Sequence, residues 1–180
     1  ARPGGEPVAI VLADFDADRD RDAIIRIWRE VGWLEKDKES TFDWFVEGSQ
    51  GHVALVDGQA ESFVLTTSGT IRHLDADLPL TGVTAVTTSR VARRLHLAHR
   101  LTARALAADA RRGATVAALG IFDQGFYDRM GFGTGSYILR TAFDPAQLKA
   151  STRPRIPVRL SADDWMEAHA AKLARRRTHG

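Results

Sequence analysis

The residues with chemistry within reach concentrate between Thr81 and Phe132. A β-rich run, Gly82 to Thr88, leads into a turn carrying Arg90, Arg93 and Arg94, and a long helix pattern follows. A second apolar run, Thr115 to Ile121, precedes a short segment that carries Tyr127 and ends in Gly131-Phe132. The stretch is a β-α-β-α unit with a basic turn at its first β-to-α junction. Phosphate-bearing ligands sit at such junctions, because the first helical amides are unbonded and the dipole favours negative charge. Taken singly these residues have ordinary explanations. Seven arginines between Arg90 and Arg112 against one acid, Asp109, describe a solvated helix face. The run lacks the interleaved aromatics of single-strand binders, so no nucleic-acid partner is expected. Tyr127 taken alone is a packed tyrosine with a satisfied hydroxyl.

Other candidates fail on spacing. The aspartates from Asp14 to Asp22 lack the glycine and glutamate that a calcium loop needs at its sixth and twelfth positions, where Arg19 and Ile25 stand. They are expected to cap and complement a helix. The six histidines show no metal spacing: His96 and His99 share a helix face without a third ligand, so no metal is expected. No cysteine is present, which excludes disulfides and thiolate chemistry and suits a reducing compartment. No nucleophile-elbow, Walker or zincin motif occurs. The aromatic region of Trp33, Phe42, Trp44 and Phe45 is expected to be mostly core, with one or two rings free to wall a substrate amine.

The chain has 180 residues and is 44% hydrophobic, enough to bury a real core. A formal net charge of +2 is too small for a general polycation. No apolar run approaches a membrane span and no signal segment opens the chain, so a cytoplasmic protein without membrane contact is expected.

The elements that must position the site follow from periodicity. Val8 to Leu12 has strand length. Ile24, Ile27, Trp28 and Val31 mark one helix face, which Gly32 ends. Ser40 to Asp43 reads as a capping box for a second, short helix, and the two helices together place a lid over one end of a sheet. His52–Val56 and Glu61–Thr66 around Asp57-Gly58 predict a hairpin. Ile71–Leu74 would extend it, and Asp75–Pro79 reads as a loop. A helix over 94–112 carries the stripe Leu97, Leu101, Ala105 and Ala108. Asp123 would cap a short helix from Gln124 to Met130, and Tyr137 to Phe143 alternates as a last strand. From Asp144 the chain becomes proline-bearing and poor in apolar residues, then opens a helix at Ser161.

Two motifs at this spacing carry a family resemblance. One is the strand end followed by Arg93-Arg94-Leu95-His96-Leu97-Ala98, comparable with Gln/Arg-x-x-Gly-x-Gly/Ala. The other is Tyr127-Asp128-Arg129-Met130-Gly131-Phe132, matching Tyr-x-x-x-Gly-Phe. The chain resembles the GNAT superfamily of acetyl-CoA-dependent N-acetyltransferases over residues 8 to 145, most specifically over 82 to 133. More narrowly, Gly82-Val83-Thr84, Arg93-Arg94 and Tyr127 resemble the first domain of acetyltransferases of the enhanced intracellular survival type.

That resemblance implies an α/β GNAT fold, a central mixed twisted sheet of about six to seven strands flanked by helices. It implies a GNAT domain over 1–145, and over 146–180 a linker and helix that start a truncated second GNAT-like domain. Further implications are transfer of acetyl from acetyl-CoA to a primary amine of a small molecule or peptide, and assembly as homo-oligomers. The amides of Val86 and Thr88 would form a rail for the pantetheine arm, with Val86 polarising the thioester carbonyl. Arg93 and Arg94, with His96, Leu97 and Ala98 at the helix start, would hold the pyrophosphate. Tyr127 would protonate the departing thiolate. The narrower resemblance also implies a base at the C-terminal carboxylate of a full-length chain, expected to lie outside this sequence. His96 stands at the motif's first glycine, where its ring must swing out of the phosphate path or block it. The alternative is a degenerate GNAT-fold module that binds a CoA-like ligand or a protein partner.

Overall fold

The computed structural model describes residues 8–120, 125–135, 140–147, 149, 151, 153 and 156–174. The chain forms two compact units, Ala1–Gly133 and Thr134–Gly180.

In the first unit the acidic run does cap a helix, from within. Asp16 is the N-cap of α1 (Ala17–Glu30), and its carboxylate accepts hydrogen bonds from Asp18 N and Arg19 N. Asp20, buried one turn in, accepts from Asp16 N (3.0 Å) and from the Arg19 guanidinium. Gly32 follows the helix at φ 78°, a left-handed conformation that glycine adopts without strain. The second helix, α2 (Glu39–Val46), departs from expectation: its N-cap is Lys38, with no side-chain cap, and Ser40 lies inside the helix. Asp43 is drawn away by a fork-to-fork pair with Arg21 of α1, at 2.8 Å for both contacts.

Five strands make one sheet in the order β1-β2-β3-β4-β5: β1 (Ile10–Asp14), β2 (Gln50–Val56), β3 (Gln59–His73), β4 (Ala76–Thr88) and β5 (Val116–Leu119). The first four pair antiparallel, and β4 pairs with β5 in parallel. The sheet is therefore mixed, as expected, with five strands among the described residues. Of the predicted loop Asp75–Pro79 only Asp75 lies in a turn; Ala76 to Pro79 start β4, paired with the end of β3 from His73↔Ala76 to Thr70↔Pro79. Leu74, at φ 50°, makes the turn. Of the predicted last strand, 137–139 lie outside the described residues and 140–143 form no strand. The predicted cap Asp123 also lies outside them, and the helix expected over 124–130 is a single 3-10 turn, Asp128–Met130, ended by left-handed Gly131.

Strand alternation divides the core between two faces. Val53, Phe63, Leu65 and Ala85 pack with Ile24, Ile27, Trp28 and Phe42 of the first two helices. Ala54, Val64 and Val83 pack with Leu97, Leu101 and Ala105 of α3 (Leu97–Arg111) on the other. The second unit contains 3-10 turns at Pro145–Gln147 and Ala162–Asp164 and the helix α4 (Trp165–Leu173). Ser161 and Asp164 form the capping box that starts it, with Ser161 N donating to Asp164 Oδ2 at 2.7 Å.

Candidate active site

The site begins where two parallel strands part. β4 and β5 pair only from Leu80↔Val116 to Val83↔Leu119, while β4 continues to Thr88. The pairing with β3 also shifts between Phe63↔Thr87 and Leu65↔Thr84, so that Val64 faces both Ala85 and Val86. This is a β-bulge, with Ala85 left-handed at φ 55°. Beyond the bulge the strand is held from the β3 side. Ser89 N donates to Glu61 O (2.9 Å), and Ser62 Oγ donates to Thr87 O (2.8 Å). Because successive residues of a strand point their amides to opposite edges, those of Val86 and Thr88 face the edge that β5 leaves open among the described residues.

One cavity of about 640 Å³ opens at this edge, lined by Val83 to Val86, Leu119 and Gly120. Tyr127 closes one side, and Trp28, Trp33, Thr41 and Phe45 of the helical layer close the other. The expected lid of two helices is thus present over the strand ends. Of the four aromatics proposed as a substrate wall, Trp33 and Phe45 line the cavity. Phe42 is core, and Trp44 is 77% exposed elsewhere. Trp28 was placed by periodicity on a core face only. Its ring is buried, packed edge-on against Phe42 and Phe45, yet its buried Nε1–H has no hydrogen-bond partner among the described residues. Periodicity marks the buried stripe but cannot tell which residue of it also borders an opening. Tyr127 stacks edge-to-face with Phe126 and Phe132, and burial pushes its hydroxyl pKa up.

A second cavity, about 260 Å³, holds Thr88, Arg93, Arg94, His96, Leu97 and Ala98, with Phe126 on its wall. Phe126 and Tyr127, one on the wall of each cavity, pack edge-to-face with ring centroids 4.9 Å apart. Ser89 shapes the approach: its hydroxyl accepts from Ala92 N (3.3 Å) and starts a 3-10 turn, Arg90–Ala92. Arg90 anchors that turn to α1, since Arg90 N donates to Glu30 Oε2 (3.1 Å) and its guanidinium to Glu30 O (2.8 Å). The Arg90 amide bond, helped by Arg26, holds the Glu30 carboxyl below the usual carboxylate range. The first helical bond of α3 runs from Arg100 N to His96 O (3.1 Å), which leaves the amides of Leu97, Ala98 and His99 free of helical acceptors.

His96 is the N-cap of α3, left-handed at φ 56° and ψ 25°, and its ring makes no capping hydrogen bond. Arg94 is left-handed too, at φ 70°. The glycine preference at the motif's first glycine therefore has a backbone cause beside the steric one: the chain must enter the helix through a conformation that L-residues disfavour. All eight sequence-predicted site residues line these two adjoining cavities. Val86 and Tyr127 share one, and Thr88, Arg93, Arg94, His96, Leu97 and Ala98 share the other.

A mixed sheet splayed between two parallel strands, with a basic helix start beside the splay, defines an acyltransferase type of fold. A family model described as acetyltransferase (GNAT) domain matches residues 17–135, and the chain belongs to that family. Among solved structures, a probable N-acyltransferase from Enterococcus faecalis superposes with a TM-score of 0.62 at 16% identity, over 68% of this chain. The present chain spans 32% of that protein. An aminoglycoside N-acetyltransferase in complex with CoA aligns over 77% of this chain and 97% of its own, with a TM-score of 0.63 at 11% identity. Glucosamine-6-phosphate N-acetyltransferase from Arabidopsis thaliana aligns over 76% and 99%, with a TM-score of 0.60 at 12% identity. At these identities the likeness is one of fold. No curated protein matches the sequence.

Proposed function

We propose that this chain transfers acetyl from acetyl-CoA to a primary amine by direct attack. The observation that carries the proposal is the open edge of β4, flanked by one cavity with free helix amides and arginines and another with Tyr127. The free amides of Leu97, Ala98 and His99, with Arg93 and Arg94, suit the pyrophosphate of CoA. The amides of Val86 and Thr88 suit the pantetheine arm as an added strand. In the reaction the amine nitrogen attacks the thioester carbonyl carbon, and the Val86 amide stabilises the oxyanion that forms. Collapse breaks the carbon–sulfur bond. The thiolate takes the Tyr127 proton, the amide nitrogen loses its extra proton to water, and solvent reprotonates Tyr127. Burial keeps the Tyr127 hydroxyl protonated across the neutral range, and its place beside the open edge of β4 is what supports this role.

The acceptor enters between Trp33, Phe45 and Trp28, whose ring faces suit the apolar or cationic part of an amine. The unpartnered Trp28 Nε1–H suits an acceptor bearing a hydrogen-bonding oxygen nearby. The narrower resemblance extends the proposal to a GNAT domain over 1–145, a second GNAT-like domain opening at 146–180, and a homo-oligomer of a longer chain.

Calorimetric titration with acetyl-CoA, with wild type and Tyr127→Phe assayed together, is the test. We expect binding in both proteins and a fall in turnover of about 10²–10⁴-fold in the variant. Absence of acetyl-CoA binding would remove the enzyme proposal, and unchanged turnover would remove Tyr127 as the acid. The second reading, a non-catalytic module of the same fold, is favoured by His96 in place of glycine. It predicts ligand binding without turnover toward any amine.

A further inference from the structure

The C-terminal half of α3 covers a second polar region, on the sheet face opposite α1. A cavity of about 320 Å³ lies there, bounded by the end of β1, the start of β2 and α3. Its walls carry three cations, Arg104, Arg111 and Arg112, against one carboxylate, Asp14. The cations fall at i, i+7 and i+8 along α3, so they share one helix face. Two are already partnered at the rim: Arg104 Nη2 donates to Asp14 Oδ1 (3.0 Å), and Arg112 pairs with Asp109, which lies behind it. Arg111 is exposed and has no carboxylate partner among the described residues.

At the inner end stands His52, only 3% exposed. Asp14 Oδ1 faces its Nδ1 at 3.4 Å, and neither ring nitrogen closes a hydrogen bond among the described residues. A buried polar ring that makes no hydrogen bond is costly, and native structures seldom leave one so. Burial depresses the His52 pKa, so the neutral ring offers one donor and one acceptor. A region with surplus positive charge on its walls, roomy enough for a small ion, and closed by an unsatisfied donor is built for an oxyanion.

We propose that this cavity binds a small oxyanion, a phosphate or a carboxylate. Arg111 and Arg104 neutralise it, and the N–H of His52 donates to one of its oxygens. The site is separate from the open edge of β4 and needs no CoA.

The test is an NMR titration that follows the His52 ring resonances, assigned from its backbone, in the intact chain. Inorganic phosphate and acetate form two arms, with sodium chloride at equal ionic strength as control. A saturable shift with phosphate or acetate, absent with chloride, is expected, and the arm with the lower midpoint names the ligand's chemistry. Arg111→Gln, which removes an exposed and unpartnered side chain, should raise that midpoint at least tenfold, and Arg104→Gln/Arg111→Gln should abolish saturation. His52 resonances that stay still in both arms would overturn the proposal. So would a drift matching chloride, or a midpoint unchanged in the double variant.

Discussion

Replacing His96 with glycine separates two effects that the structure superimposes at one residue. The backbone there is left-handed at φ 56°, a conformation costing an L-residue roughly 1–2 kcal/mol. The ring is exposed and caps nothing, so its removal forfeits no packing. Against the relief stands the greater freedom of glycine in the unfolded chain, roughly 0.5–1 kcal/mol. The balance is a gain of about 0.5–1 kcal/mol, and in a chain of this size each kcal/mol raises the melting temperature by roughly 2–4 °C. Removal of the ring also clears the approach to the amides of Leu97 and Ala98, so acetyl-CoA should bind about three- to tenfold more tightly, or roughly 0.7–1.4 kcal/mol. Differential scanning calorimetry and isothermal titration read the two effects independently. Arg94→Gly is the control. At φ 70° it offers the same relief, but it removes a cation from the phosphate cavity, so its melting temperature should rise likewise while affinity falls. A drop in the melting temperature of His96→Gly would refute the backbone argument. A loss of acetyl-CoA affinity in that variant would show that the imidazole itself holds phosphate.

Trp28→Phe keeps a ring in the cavity wall but deletes the unpartnered Nε1–H. Acceptor KM should rise about five- to a hundredfold, the worth of one buried hydrogen bond of roughly 1–3 kcal/mol, with acetyl-CoA affinity unchanged. Equal loss of both affinities would point to a collapsed cavity. Stability should fall in two stages as pH is lowered, followed by thermal melting. Burial holds the folded His52 pKa below its unfolded value, so the unfolded state protonates first once pH falls below about 6.5. At Asp109 burial raises the pKa, but hydrogen bonds from Thr81 (2.6 Å) and Arg112 outweigh it and leave the folded value low. That contribution is present above the unfolded carboxyl value and disappears as pH falls below about 4. Asp109→Asn should shrink the second stage alone, with Glu30 and Asp14, also held low, supplying the remainder, and a flat profile from pH 7.5 to 5 would contradict the burial of a neutral His52. Gly51→Ala places a Cβ 2.6 Å from the Phe15 Cβ, an atom fixed close to its own backbone, so it should cost about 1–3 kcal/mol in a denaturant melt. An unchanged midpoint would contradict the close packing of Gly51 against Phe15.

Much of the fold was legible because it depends on neighbours in the chain. Local capping chemistry starts α1 at Asp16, and left-handed glycines close the segments at Gly32 and Gly131. Apolar spacing picked out the buried faces of α1 and α3, and the family resemblance carried by the two motifs led to the mixed sheet. The strand-to-helix junction and Tyr127 were visible as short spacings. What failed was decided by partners far away in sequence. Ser40 to Asp43 has the letters of a capping box, but Arg21 claims the Asp43 carboxylate and the helix begins earlier. Asp75 to Pro79 has loop composition, but the end of β3 offers an unpaired edge that recruits Ala76 to Pro79 into β4.

The site divides in the same way. The residue types came from the sequence: arginines and a small residue at a helix start, and a tyrosine before Gly131-Phe132. Their placement around one opening did not. The opening exists because β5 stops pairing at Val83 while β4 runs on, and because Val64 must face two residues of β4 at once. Strand separation and a bulge arise from register between strands, which no single segment encodes. The burial of His52 behind three arginines is likewise a product of packing α3 on the sheet. Local spacing determined which groups this protein brings to its chemistry, and long-range packing alone decided which of them meet.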